Sequence, residues 1–463
     1  MAEWSKAAAS KAVILIKVGI VGSNPTLSTK VKMIHKVHQG LIKMKLYAKR
    51  ASGLLLFFSL FMSSSLYSII DNRYLPLFNI ELPRSKKPSY FGMNAFAMQA
   101  KQAFDDDGEL VHLPEIFGKY DLYALNDSMN KVGLVNPLFL EPWYFQREII
   151  WNMEGKLQVQ GIDFYWEQDF CKYFSLGLKS GFLHCTSERR FSLSNEAIKS
   201  LGVLTNANIN QGVGIALERA RTNANILLDI EPAQWKKDSL ADLEVYGRVS
   251  RSWEYALKCR SIEVALELGG IVPLAATADI NNPASIPLGS DGFPGFYTKF
   301  ETQIEAREDW FLGMWMQLEF SPSKVVKLRM PLNEEALEWG TIVGNAKVNP
   351  GLFFGISPFV AIEDFQDGWG GMIRFTYLYR DNDSFEDRRK DPKNIVNFEP
   401  LYNLSSWVSE YVSLAIIYDG ARGFMGGKYA PKFYFNVDMP VHLFKSSTSA
   451  KTYKFTLGFE FNY

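Results

Sequence analysis

The chain closes on Tyr453-Lys-Phe-Thr-Leu-Gly-Phe-Glu-Phe-Asn-Tyr463, and this stretch decides how the rest is read. Tyr453, Phe455, Leu457, Phe459, Phe461 and Tyr463 leave one side of it; Lys454, Thr456, Gly458, Glu460 and Asn462 leave the other. Side chains that alternate with a period of two belong to a β-strand. One face is apolar and aromatic, the other polar or small. A half-buried strand of a soluble sandwich alternates in the same way, so the choice between a core face and a lipid face rests on the other segments.

Eleven earlier segments carry the same period, near 90–99, 156–167, 174–182, 243–257, 262–268, 296–304, 310–320, 352–362, 369–379, 408–418 and 429–437. The first is the weakest and mixed in phase. In the second, Leu157 and Val159 share one face and Ile162, Phe164 and Trp166 the other; Gly161 at the change of phase suggests a bulge. Arg251 and Glu410 fall on apolar faces, so they are expected near a rim or turned inward by a local bulge. A basic residue facing lipid costs about 2–4 kcal/mol at mid-bilayer and almost nothing at the interface.

The connections alternate. Short ones fall near 168–173, 258–261, 306–309, 364–368 and 419–428; long ones near 100–155, 186–242, 275–295, 321–351, 381–406 and 439–452. Transmembrane barrels sort their loops this way, short at the periplasmic end and long outside, whereas a sandwich has no reason to. With both termini on the periplasmic side, every short turn falls there. Residues 115–131 and 212–228 have helical composition, and Ser194-Asn-Glu-Ala opens like a capped helix over 194–201. Two placements are open for these helices: folded into the lumen as a constriction, or on the outer rim.

The N-terminal region has a different character. Residues 1–43 read as a leader that lies upstream of the true start or is disordered: Ala2-Glu-Trp-Ser-Lys-Ala-Ala8 and Gly22-Ser-Asn-Pro-Thr-Leu-Ser28 look like a transfer-RNA gene read in frame. Translation is then expected to begin at Met44 or Met33. Residues 44–68 have the plan of a secretory signal peptide: Lys45, Lys49 and Arg50, then the apolar run Leu54–Met62, then small residues that place cleavage after Ser65 or Ser68. That run is too short to cross a bilayer, and elsewhere the chain offers no run of 18 apolar residues. Residues 69–88 are expected as a periplasmic lead-in and 89–463 as the barrel.

The final strand resembles the C-terminal assembly signal of bacterial outer-membrane β-barrel proteins. Thr456, Gly458, Phe461 and Tyr463 occupy the polar, glycine, hydrophobic and terminal aromatic places of that signal. The resemblance implies recognition by the barrel-assembly machinery and a setting in outer-membrane lipid. It covers about residues 86–463 and points to an architecture, not to one protein family. The expected fold is therefore all-β: a transmembrane antiparallel β-barrel of about 12 strands (range 10–14), with short periplasmic turns and long outside loops containing some helix.

Composition narrows the function. The 50 basic and 50 acidic residues balance, but residues 1–68 hold ten Lys or Arg and one Glu; removing them leaves 40 basic and 49 acidic, a net of −9. An acidic chain argues against a nucleic-acid partner. The three cysteines, Cys171, Cys185 and Cys259, have neither zinc-site nor disulfide-framework spacing. Beyond the leader there are three histidines, His112, His184 and His442. His184 beside Cys185 is the most tempting catalytic pair, and adjacent strand residues face opposite ways, which spoils it. His112 and His442 read as solvated loop residues, Asp105-Asp-Asp-Gly108 as a solvated turn, and Asp279–Gly292 as a structured outside loop. No catalytic residue, metal ligand or cofactor is assigned.

The polar faces are the candidate pore lining: Glu244, Arg248, Glu254, Glu263, Glu267, Lys299, Glu301, Glu305, Arg374, Arg380, Lys432, Lys454 and Glu460, with Asp438 beside them. A charged interior suits a water-filled or loop-plugged channel. The leading expectation is a porin-like passive channel for small hydrophilic solutes. The rivals are a structural or surface-interaction barrel whose interior ion pairs conduct nothing, and an outer-membrane barrel enzyme. A homo-oligomer is compatible with all three.

Overall fold

The computed structural model describes residues 71–83, 89–134, 148–194, 207–231, 233–255, 258–333, 335–390, 392–423 and 430–463; the stretches expected as a leader (1–43) and a signal peptide (44–68), and most of the helix expected over 194–201, lie outside them. Twelve antiparallel strands form the wall: β1 (Ser89–Ala100), β2 (Ile150–Cys171), β3 (Phe174–Leu193), β4 (Leu243–Glu254), β5 (Ser261–Val272), β6 (Gly295–Arg307), β7 (Trp310–Phe320), β8 (Phe353–Gln366), β9 (Trp369–Arg380), β10 (Trp407–Asp419), β11 (Lys432–Val441) and β12 (Tyr453–Asn462). Each pairs with its neighbours in sequence, and β12 pairs with β1, so the sheet closes into an up-and-down barrel. Closure leaves no open edge in the wall.

Alternation holds around the wall. On β12, Lys454, Thr456 and Gly458 are buried inside, while Phe455 and Leu457 are exposed outside. The outward face is an apolar band that includes Phe91, Ile162, Leu266, Leu312, Ile373 and Ile416, with Tyr173, Trp253, Trp310, Trp369 and Tyr463 around the short-turn end. A lipid-facing band edged with aromatics has this composition. The short turns are tight: Asp367 and Gly368 between β8 and β9 both have positive φ (48° and 87°), as a two-residue hairpin of this kind requires.

Several expectations are corrected. β1 is a regular strand; it looks mixed because Phe96 and Met98 face an apolar interior and Tyr90 the Glu167 carboxylate, while Phe91 and Met93 face out. There is no bulge at Gly161: the β1–β2 and β2–β3 registers run through it unbroken. The apolar phase changes because Leu157 and Val159 enter a core inside the barrel, whereas Ile162 and Phe164 are on the exposed face. Gly161 leaves room for the Phe96 ring, since a Cβ there would lie 2.4 Å from Phe96 Cζ. β2 and β3 extend well past their expected ends, carrying a hairpin beyond the long-loop end of β1. The loop sorting fails at one place, where the connection 420–431 is no shorter than 442–452.

Arg251 and Glu410 both lie near rims without any bulge. Arg251 stacks on Trp253 at 5.1 Å near the short-turn end. Glu410 faces out near the long-loop end, where its carboxylate accepts from the amides of Leu443 (2.6 Å), Phe444 (3.1 Å) and Lys445 (2.7 Å). The 443–445 turn thus satisfies a buried acid on the outer wall.

The long loops carry a second layer. Helices α1 (Leu122–Lys131) and α2 (Ala207–Leu227) pack their Leu125, Met129, Leu217 and Ala224 side chains against Trp151 and Met153 of the extended hairpin and against Trp339. They therefore cap the long-loop end and do not enter the strand-lined lumen. The Asp279–Gly292 run is structured as expected, but Ile286 and Leu288 turn into the barrel core.

Candidate pore lumen

The lumen is occupied by the chain itself. Residues 71–83, expected as a lead-in on the periplasmic side, run in extended form through the barrel interior. Asp71 is at the long-loop end, paired with Arg380. The Arg73 guanidinium donates to the carbonyls of Leu404 and Ser405, and Asn72 Nδ2 donates to Pro287 O (3.0 Å). Lower down, Lys454 Nζ donates to Pro76 O (3.1 Å) and Phe78 O (2.9 Å), and Arg374 to Asn79 O (2.9 Å). Glu81 pairs with Lys299, and Ile80 and Leu82 share a cluster with Phe311 and Ile417 in the half nearer the short turns.

The segment does not extend the sheet. Its main chain takes one described backbone hydrogen bond from elsewhere, Ala450 N–H to Arg73 O, and one of its own, Leu77 N–H to Leu75 O. It is held instead by side-chain donors and by burial. Tyr74, Leu75 and Leu77 join Leu157, Val159, Leu183, Ile286 and Leu288 in an apolar core. Phe78 fits among Trp315, Phe353, Leu378, Trp407 and Tyr411. Ile80 and Leu82 meet Phe311, Met372, Ile417 and Tyr434. At about 25 cal/mol per Å² of apolar surface removed from water, such side chains anchor a segment that has no ladder.

The lumen wall is consequently two-sided. The inner faces of β7–β11 present the apolar stripe that receives Phe78, Ile80 and Leu82. The inner faces of β2–β6 are mostly polar and charged. Tyr297 Oη lies 2.5 Å from Glu244 and 2.6 Å from Glu267. Arg248 bridges Glu263 (2.9 Å) and Glu301 (3.1 Å), and Lys299 reaches Glu301 at 2.8 Å. Glu167 accepts from Tyr90 (2.8 Å), Tyr246 (2.9 Å) and Ser175 (2.8 Å).

All thirteen candidate pore-lining residues lie on inward-facing strand positions; Glu254 is at the exposed rim. Glu305 meets Ser261 and Arg260, Lys432 pairs with Glu363 at 2.7 Å, Arg374 with Asp438 at 3.6 Å, and Tyr165 donates to Glu460 at 3.4 Å. These contacts brace the wall and hold the segment. The sequence reading missed Asp163 and Glu167, which continue the inward period of β2, and Tyr246 and Tyr297. It missed the segment too, although Phe78, Ile80 and Leu82 alternate with Asn79 and Glu81.

Space remains at both ends. A cavity of 630 Å³ at the long-loop end is floored by residues 71–74 and walled by 277–293 and 324–329. Burial there lowers the Arg329 guanidinium from its ordinary value. A cavity of 290 Å³ at the short-turn end is lined by Arg260, Glu263, Glu305, Glu363 and Arg422. Between them lie spaces of 60 Å³ and 30 Å³ against residues 77–82, room for a water or two each.

Among the described residues, the histidines carry no nucleophilic pair. His184 faces out and lies 2.6 Å from Asp238, while Cys185 is buried inside. His442 is exposed in its loop, where it stacks on Phe104 and accepts from Ser446 N–H at 3.1 Å. Asp105 Oδ1 accepts from the amides of Asp107 and Glu109, closing its own turn. All three cysteines are free thiols.

No family model and no curated protein sequence matches the chain. Solved structures do resemble it in barrel architecture. An outer membrane channel from Pseudomonas putida F1 covers 83% of this chain and is itself covered in full, at 6% identity and a TM-score of 0.45. The transport unit of the autotransporter AIDA-I from Escherichia coli covers 84%, with 94% of its own length, at 8% identity and a TM-score of 0.34. The Pseudomonas putida toluene transporter TodX covers 86%, with 94% of its own length, at 10% identity and a TM-score of 0.28.

Proposed function

We propose that this protein is a passive outer-membrane channel for small hydrophilic solutes, closed by its own residues 71–83 and opened when they shift. The observation that carries the reading is that this segment fills the lumen without adding a strand to the wall. The barrel ladder is complete without it, so the segment can move while the wall stays paired. The charged faces of β2–β6 would then line a polar path. The short turns face the periplasm, the long loops face outside, and the assembly signal at Thr456, Gly458, Phe461 and Tyr463 delivers the strand to the assembly machinery.

Phe78→Ala/Ile80→Ala removes two anchors of the segment and leaves the wall's charged residues in place. In planar bilayers the full chain should show rare openings and the variant frequent ones. A variant that shows the mobility shift of a folded barrel on unboiled gels, yet passes no current, would sink the channel reading. The filled lumen also favours a second reading, a surface-interaction barrel without transport, and that result would support it.

A further inference from the structure

We infer that the lumen wall is a binding groove for an external oligopeptide, one in extended form with apolar residues at every second position, which takes the place of residues 71–83. This rests on the displacement of the segment and not on conduction through the barrel.

Three observations specify the ligand. First, the wall reads a peptide backbone: Lys454 Nζ donates to two main-chain carbonyls and Arg374 to a third. Both side chains are almost fully buried, at 1% and 2% exposure, and a buried cation requires such acceptors. Second, the apolar stripe fits alternating side chains. Phe78 enters one aromatic pocket, while Ile80 and Leu82 enter the next, and Asn79 and Glu81 turn toward the charged side. A hydrocarbon chain would fill the stripe and leave the buried cations without acceptors, whereas a free sugar or ion would leave the stripe empty. An extended peptide satisfies both, as in recognition modes that combine main-chain hydrogen bonds with pockets for alternate side chains.

Third, the same stretch of wall holds unused hydrogen-bonding capacity. Arg374 Nε, Asp438 Oδ2, Asn436 Oδ1 and Thr456 Oγ1 are buried polar atoms without a partner in the described structure, and all four residues face the lumen. Buried polar atoms are nearly always paired. The resident segment, with Pro76 in its middle, lacks one amide that another peptide would offer there.

The test uses the full chain and the Phe78→Ala/Ile80→Ala variant in detergent, with folding checked by the gel shift of unboiled samples. Two dye-labelled probes are titrated by fluorescence anisotropy: a synthetic peptide of residues 71–83, and an unrelated peptide of equal length alternating leucine and serine. Lauric acid serves as the hydrocarbon competitor. Saturable binding of both peptides is expected, about tenfold tighter or more to the loosened variant than to the full chain. Adding Lys454→Met should weaken peptide binding about tenfold, the loss of charge-assisted hydrogen bonds. Absence of saturable binding to a folded loosened variant overturns the inference. So does full displacement by lauric acid with no effect of Lys454→Met, which would make the groove a hydrocarbon site. Peptide binding without bilayer current would remove the channel reading and leave this inference standing; current without peptide binding would do the reverse.

Discussion

The Lys454 ammonium donates to the main-chain carbonyl of Phe78 at 2.9 Å, tying the last strand of the wall to a segment that precedes the first. It also reaches Pro76 O at 3.1 Å and lies 5.9 Å from the Phe78 ring centroid. Lys454→Met keeps the length of the side chain and removes the charge, leaving two buried carbonyls without their donor. Charge-assisted bonds of this kind are worth about 1.5–3 kcal/mol, so the closed state should lose roughly a tenfold or larger share of its population. The fraction of time spent open in planar bilayers reads this directly. An unchanged open fraction in a folded Lys454→Met barrel would show that the contact does not hold the lumen shut.

Gly458 belongs to the assembly signal by resemblance, and the structure gives it a packing reason as well. The Tyr434 ring of β11 lies over it, so that a Cβ at Gly458 would stand 2.4 Å from Tyr434 Cζ and from Asn94 Oδ1. Tyr434 in turn hydrogen-bonds to Asn94. Gly458→Leu must push the ring off its site, at a cost of about 1–3 kcal/mol for overpacking. The temperature at which the folded gel band is lost should fall for Gly458→Leu. It should stay in place for Thr456→Val, which preserves shape at a hydroxyl that has no partner.

The wall was legible in the sequence because a two-faced strand writes its environment into every second residue, as on β12 and β9. What was not legible is the content of the barrel. Residues 71–83 fell before the first recognised strand, and a segment without ladder bonds has no sequence signal beyond its own alternation. The same blindness explains the supposed bulge at Gly161. An apolar period that moves from the inner to the outer face looks like a slipped register when the interior is assumed to be wet. The charged candidates were placed on the correct face because polarity alone decides that. Their partners, such as Glu81 for Lys299, were hidden with the segment.

Phe461 and Tyr463 test different things. Phe461 faces out, and Phe461→Asp places a charge on the apolar face near the short-turn rim. Tyr463 is built into the seam where the barrel closes: its amide donates to Ser89 O (3.0 Å), its hydroxyl accepts from Trp166 Nε1 (2.6 Å), and the same hydroxyl donates to Gln168 Oε1 (3.2 Å). Deleting Tyr463 removes all three bonds, while Tyr463→Phe keeps the aromatic ring and the amide. If the terminal aromatic serves assembly, Tyr463→Phe should insert at the normal level, and both Phe461→Asp and the deletion should insert poorly. Membrane-fraction yield measures this. A defect in Tyr463→Phe equal to that of the deletion would assign the effect to the seam instead.

The position of Asp71 makes the sharpest topological prediction. Tyr463 and Ser89 sit together at the short-turn end, yet Asp71 pairs with Arg380 at the long-loop end and lines the 630 Å³ cavity there. If the long loops face outside, the start of the described chain is reached from outside, although β1 begins on the periplasmic side. Asp71→Cys on intact cells should react with a membrane-impermeant maleimide at a rate within about tenfold of Lys324→Cys, which lines the same cavity. The native thiols of Cys171, exposed, and Cys259, half-buried, both at the opposite end, should react only after the outer membrane is permeabilised, and replacing both by Ala should abolish that late signal. Labelling of Asp71→Cys only after permeabilisation would return residues 71–83 to the periplasm and remove the basis for a closed lumen.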